Sequence, residues 1–274
     1  MQIAFKRMPA SLSNHMFLDR DIQSTVDHIR QTHERYFLFV ERLNELAHHA
    51  LFSAKVVRSD MRQLLLATLL QRALTAFQAT VILAQRGMPS EVRVVLRTLL
   101  EAMFRIAAIA NDEDVAHDYV QAHEHHRLNF VKKLKRLPKA LRPQVDETAL
   151  ESLRVALAKS VNGLPETALT TKWFAEKAEL ENFYNTAYAL LSEDVHINVG
   201  TLESALNIDE QEELVSFSYG PSDEEIEHHL LTAAEALLLS MRAAFSVLEV
   251  ACTKEVEQMH EEFVALHADF TSET

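Results

Sequence analysis

Residues 90–111 read SEVRVVLRTLLEAMFRIAAIAN. The spacing has helix period, yet Val92, Val94, Val95, Leu96, Leu99, Leu100, Met103, Phe104, Ile106 and Ile109 occupy most of the circumference, which predicts a central helix wrapped by others. Against that background stands a row of charges. Arg93, Arg97, Glu101 and Arg105 are spaced four apart and therefore share one face, one turn above the next. Charges on a buried helix are costly unless paired or hydrogen-bonded, so the row must meet partners, a wet cleft or a ligand.

Working outward, Gly87-Met88-Pro89 is a tight turn. The apolar stretch before it, capped at Ser59 and ended by Gly87, is expected to fold back antiparallel on the central helix. Upstream, Asp19 caps an amphipathic helix to about Ala50 with Ile22, Val26, Ile29, Phe37, Val40, Leu43 and Leu46 on its stripe. Downstream come a polar helix from Glu113 to about Leu137, ended by Pro138, and a shorter one over 147–160. Thr171 caps a helix through His196 that presents Tyr184, Tyr188, Ser192 and His196 four apart. Between 197 and 221 the helical period fails, and 204–208 with 214–219 fit a small β-hairpin. Ser222 opens a last helix to about Asp269, whose acidic final turns are expected to project from the body. The reading is an all-α, single-domain bundle of about six to seven helices, with an N-terminal arm (1–18), a core (about 19–250) and an acidic C-terminal helical extension (251–274).

Composition supports the class. Of 274 residues only four are glycine and six proline, and 48% are hydrophobic, which favours long helices around a sizeable core. A net charge of -13 repels phosphate backbones and argues against broad nucleic-acid binding. A single cysteine, Cys252, excludes an internal disulfide framework and fits a reducing compartment. The N-terminus lacks the continuous apolar core of a signal peptide, and no apolar run reaches the roughly 18 residues of a membrane span. The expectation is a cytoplasmic protein with no membrane partner. The amphipathic first and last helices can bury their stripes against a second copy, so a homo-oligomer is expected, with a protein partner as the other candidate.

Two polar rows form a pocket if they face each other. Arg97, Glu101 and His196 are then the candidate catalytic residues, with Arg93, Arg105, Tyr184, Tyr188 and Ser192 as ligand-binding candidates. The competing reading is a satisfied polar network that fixes helix register. A di-metal centre is the other sharp option, because Glu-x-x-His recurs at Glu45/His48, Glu193/His196, Glu225/His228 and Glu257/His260, as in ferritin-like bundles. These pairs sit among polar neighbours or at helix ends rather than on apolar faces, so no metal ligand and no cofactor is expected. The cluster His123-Glu124-His125-His126 reads as solvated surface, with at best His123 and His126 on one face. Cys252 reads as a core thiol, and four glycines exclude dinucleotide and phosphate-loop chemistry.

The arrangement Arg97-x-x-x-Glu101 followed by Tyr188-x-x-x-Ser192-x-x-Val195-His196 resembles a bacterial family of helical proteins of unknown function, over roughly residues 60 to 250. Such proteins are similar in helical layout to the HEPN group, which includes metal-independent ribonucleases and phage-defence toxins. The resemblance implies an interaction or regulatory protein of bacterial stress or phage defence. The alternative it implies is a metal-independent nuclease using Arg97, Glu101 and His196. HEPN nucleases place arginine and histidine a few positions apart on one helix, whereas Arg97 and His196 lie on different helices.

Overall fold

The computed structural model describes residues 4–7, 16–138, 146–162, 169–195, 206–209 and 213–273. In order these form β1 (Ala4–Arg7), α1 (Gln23–Thr32), α2 (Glu34–Ser53), α3 (Met61–Gln85), α4 (Pro89–Asn111), α5 (Glu113–Arg136) and α6 (Glu147–Ser160). There follow α7 (Thr171–Lys177), α8 (Glu181–Phe183), a π-helical turn (Tyr184–Tyr188), α9 (Ala189–Val195), β2 (Leu206–Ile208), β3 (Leu214–Tyr219), α10 (Ile226–Phe245) and α11 (Thr253–Glu273). The fold is all-α with a small sheet at its margin.

The central helix is α4. Val92, Leu96, Leu99, Leu100, Met103, Phe104, Ile106 and Ile109 are all buried, packed by α3 on one side and α10 on the other. Alanines at 233, 234 and 236 let α10 approach closely, since interaxial distance is set by the side chains at the contact. The cap of α3 lies one residue after the expected Ser59, because the Asp60 carboxylate accepts from the Gln63 N–H at 3.0 Å. Arg62 in its first turn donates to the carbonyls of Ile109 (2.9 Å) and Ala110 (2.6 Å), giving the negative end of α4 a cation and two donors. With a mean hydropathy of 1.3 over its best window, α3 is long and apolar enough to cross a membrane, which corrects the sequence expectation that no run reaches that length. Its Leu66, Leu70, Ala73 and Phe77 pack in the core of the fold.

The turn between α3 and α4 depends on Gly87. Its φ of +65° is left-handed, and a Cβ there would lie 2.8 Å from the Ser222 carbonyl oxygen and 2.9 Å from its nitrogen, both backbone atoms. The Ser222 N–H also donates to the Gly87 carbonyl at 2.9 Å, so neither segment can yield without breaking the contact. Gly87→Ala is expected to cost on the order of 2 kcal/mol through conformational strain and overpacking, seen as a lowered urea midpoint with unchanged slope.

Three helices expected to be continuous are divided. The first breaks at His33, whose φ/ψ of -113°/32° ends α1 and whose Nδ1 pairs with Glu227 at 3.0 Å. The helix expected from Thr171 to His196 starts instead at cap Thr170, whose hydroxyl accepts from the Trp173 N–H at 3.1 Å, and breaks at Glu179, which has a φ of +59°. The last helix breaks over 246–252, where Lys55 and Glu249 pair through backbone and side chains (2.5 Å). Beyond that break α11 turns back onto α2 rather than projecting, with Phe263 against Phe39 (6.2 Å) and Phe270 against Tyr36 (6.4 Å). The apolar stripes of the first and last helices, the basis for expecting a second copy, are therefore matched within one chain. The hairpin is present as β2 and β3, and β1 adds a strand parallel to β3 that the sequence reading did not anticipate.

Apart from the main core, Leu128, Val131, Leu150, Leu157 and Val161 form a smaller cluster between α5 and α6.

Candidate functional site

The charged row of α4 divides between two neighbours. Arg93 donates to the Glu225 carboxylate at 3.2 Å, just ahead of α10. Glu225 adopts a φ of +56°, an uncommon left-handed conformation for a residue with a side chain. It also lies 3.6 Å from Nε2 of His229, which is 2% exposed. Burial first, then the Arg93 charge and then His228, push the His229 imidazole down to about 4.

Of the other three members of the row, Arg97 and Glu101 face the segment after α7, and Arg105 lies over Phe174 of α7. Arg97 donates through Nε (3.1 Å) and Nη2 (3.0 Å) to the Tyr188 phenol oxygen, and the Tyr188 hydroxyl donates to Glu101 Oε1 at 3.1 Å. Arg105 Nη1 donates to the Glu101 carbonyl at 2.7 Å and lies 3.4 Å from Oε2. The phenol therefore bridges a guanidinium and a carboxylate that are themselves 3.6 Å apart. Two guanidiniums share one carboxylate, which leaves an excess positive charge. The side chains retain exposures of 23% (Arg97), 30% (Glu101) and 20% (Arg105), so water reaches the network.

Tyr188 is delivered by the π-helical turn. Left-handed Glu179 ends the α7 segment, and the chain re-enters a helix at Glu181 whose ring widens at Tyr184–Tyr188. Such single π turns are rare and concentrate at functional positions. Tyr184 stacks on Tyr188 (5.1 Å, 21°), and the buried ring of Phe104 backs both, at 6.3 and 5.8 Å. Ser192 turns its hydroxyl to the Tyr188 carbonyl (2.7 Å), so it supports the segment and does not contact the charged row. His196 lies outside the described residues.

The structure thus brings together Arg97, Glu101, Arg105 and Tyr188, sends Arg93 to Glu225 and His229, and uses Tyr184 as packing. The sequence reading named Glu225 only in a Glu-x-x-His pair and missed its pairing with Arg93, and it missed His229, which occupies the apolar stripe of α10 beside Leu230. It also missed Phe104 as the support of the two tyrosines, because a core phenylalanine carries no separate signal.

Among the described residues, no group of three or more His, Cys, Asp or Glu is placed to hold a metal ion. The Glu-x-x-His pairs fall on α2, at the start of α10 and on α11, with the fourth reaching outside the described residues, and Glu257 is occupied by Arg242 at 3.0 Å. Cys252 is buried, and burial followed by Glu255 pushes its thiol up, away from a reactive thiolate.

A family model, described as "Family of unknown function (DUF5677)", matches residues 63–213, a span that includes both polar rows. Comparison with curated proteins and with solved structures finds no match.

Proposed function

The chain belongs to that family of unknown function, and from this premise we propose that it is a cytoplasmic interaction or regulatory protein of bacterial stress or phage defence. The Arg97–Tyr188–Glu101–Arg105 network is where it reads an anionic group. One observation carries this. Two guanidiniums converge on one carboxylate at a π-helical turn while the groups stay 20–30% exposed. A network serving only to fix helix register gains nothing from surplus charge or from contact with water. An incoming carboxylate or phosphate competes with the Tyr188 phenol oxygen for the Arg97 fork, and binding then loosens Tyr188 and the α8–α9 segment from α4.

The test is the stability of Arg97→Met. In a fully buried pair the loss would be about 3–5 kcal/mol, because a carboxylate would be orphaned. Here Glu101 keeps Arg105, Tyr188 and water, so the expected loss is about 1 kcal/mol, and adding Glu101→Leu should recover little. A thermal melt showing the larger loss, rescued by the double change, would return the network to a scaffold role.

A second reading, a metal-independent HEPN-like nuclease, is favoured by the direct hydrogen-bonded linkage of Arg97 to Glu101 through Tyr188 on a water-accessible face. It requires cleavage of single-stranded RNA in the presence of a chelator, abolished in Arg97→Met. RNA left intact by the wild-type chain excludes it.

A further inference from the structure

Behind the network a cavity of about 570 Å³ opens between α5 and the flanking α3, α4 and α7. It is within the size range of sites for small organic molecules. Its walls are unlike the rest of this chain. The protein carries a net charge of -13, yet among the described residues that line the cavity there is no carboxylate, and Arg105 is the one formally charged group.

The α5 side is built by a helical face. Tyr119, His123 and His126 fall at spacings of four and three, with His125 and Asn129 alongside. The sequence reading treated the histidine cluster as solvated surface. His123 and His126 are exposed, but His125 Nε2 is buried with no hydrogen bond among the described residues. A buried imidazole nitrogen left unmatched costs free energy that a ligand atom can recover. Arg105 contributes similarly, since its hydrogen bonds among the described residues all run through Nη1. Its guanidinium lies 5.2 Å over the Phe174 ring, and Phe174 meets Tyr119 edge-on at 5.5 Å, so the positive group sits next to a flat aromatic wall.

We propose that this cavity binds a small organic anion with a flat apolar body, its carboxylate or phosphate head on Arg105 and His125 and its body against Tyr119 and Phe174. This site does not depend on the regulatory reading of the Arg97 network, although Arg105 borders both.

Trp173 is the only tryptophan and its ring lies 5.0 Å from that of Phe174, so its fluorescence reports on the cavity. The wild-type chain is titrated with phenyl phosphate and benzoate, with inorganic phosphate as the anion lacking a ring and benzyl alcohol as the ring lacking charge. At least one aromatic anion should saturate at a concentration about tenfold or more below both controls, and which of the two binds tighter identifies the head group. Arg105→Gln and His125→Leu should each weaken it about tenfold or more. Ala122→Phe, which fills the cavity without touching its charges, should abolish binding. Failure here is distinguishable from failure of the regulatory reading, because that reading is tested by the Arg97→Met melt and not by this titration. If Ala122→Phe does not fold, the other two variants, checked by melting, carry the test. The inference is overturned if neither aromatic anion saturates below inorganic phosphate, or if folded cavity variants bind unchanged.

Discussion

Phe104→Ala is expected to lose about 3–5 kcal/mol of stability. The ring is fully buried in α4, where truncation removes its transfer free energy and leaves a void that helices packed on two sides close only in part. The position also joins core to site. Phe104 is the surface on which Tyr184 and Tyr188 rest, so its loss should release the phenol that bridges Arg97 and Glu101. Urea melts give the magnitude, and near-ultraviolet circular dichroism reports the tyrosine pair. Leu99→Ala is the comparison, since Leu99 is equally buried but has no aromatic contact with either tyrosine. It should lose stability with less change in the tyrosine signal. Equal spectral changes in both variants would contradict the coupling.

The second large effect concerns pH. The His229 imidazole titrates near 6.5 in the unfolded chain and at about 4 when folded, because it is buried and faces Arg93 and His228. Between those values the unfolded state binds the extra proton, so stability rises with pH across the window. The contribution is fully present above about pH 6.5 and lost as pH falls through 4, a change on the order of 3 kcal/mol. His229→Leu removes the titrating group without emptying the site. The difference in unfolding free energy between wild type and variant, measured in urea at steps from pH 7 to pH 4, should shift by that amount in favour of the variant. Parallel profiles would show that His229 is as accessible to protons in the folded chain as in the unfolded one.

Much of the frame was legible in the sequence, and for physical reasons. The α3–α4 hairpin is written in two apolar stretches joined by Gly87-Met88-Pro89, and the left-handed Gly87 marks the turn. The row Arg97, Glu101, Arg105 was legible because helix geometry alone puts residues four apart on one face. Tyr188 was visible by the same spacing, but its role as the bridge depends on the widened turn at Tyr184–Tyr188, and none of those five residues announces a π helix. The breaks at His33, Glu179 and 246–252 were not legible because none contains proline or glycine. Distant contacts hold two of them, His33 to Glu227 and Lys55 to Glu249. At Glu179 local closure suffices, with the Leu180 N–H returning to the Ala175 carbonyl at 2.9 Å. The histidine face of α5 needed only the question of which residues share a side with Tyr119, but the cavity needed α7, whose placement follows from the unforeseen break.

The small sheet bears on the order in which the chain can assemble. β3 is the middle strand, and its parallel neighbour pairs Ala4 with Ser216, more than two hundred residues apart in the chain. During synthesis residues 4–7 leave the ribosome long before their partner exists, while the local α3–α4 hairpin can already close. The sheet is therefore completed late, after the helices have brought residues 214–219 to their place. Until then one edge of β3 carries unpaired backbone groups, open to the same short strand from another nascent chain.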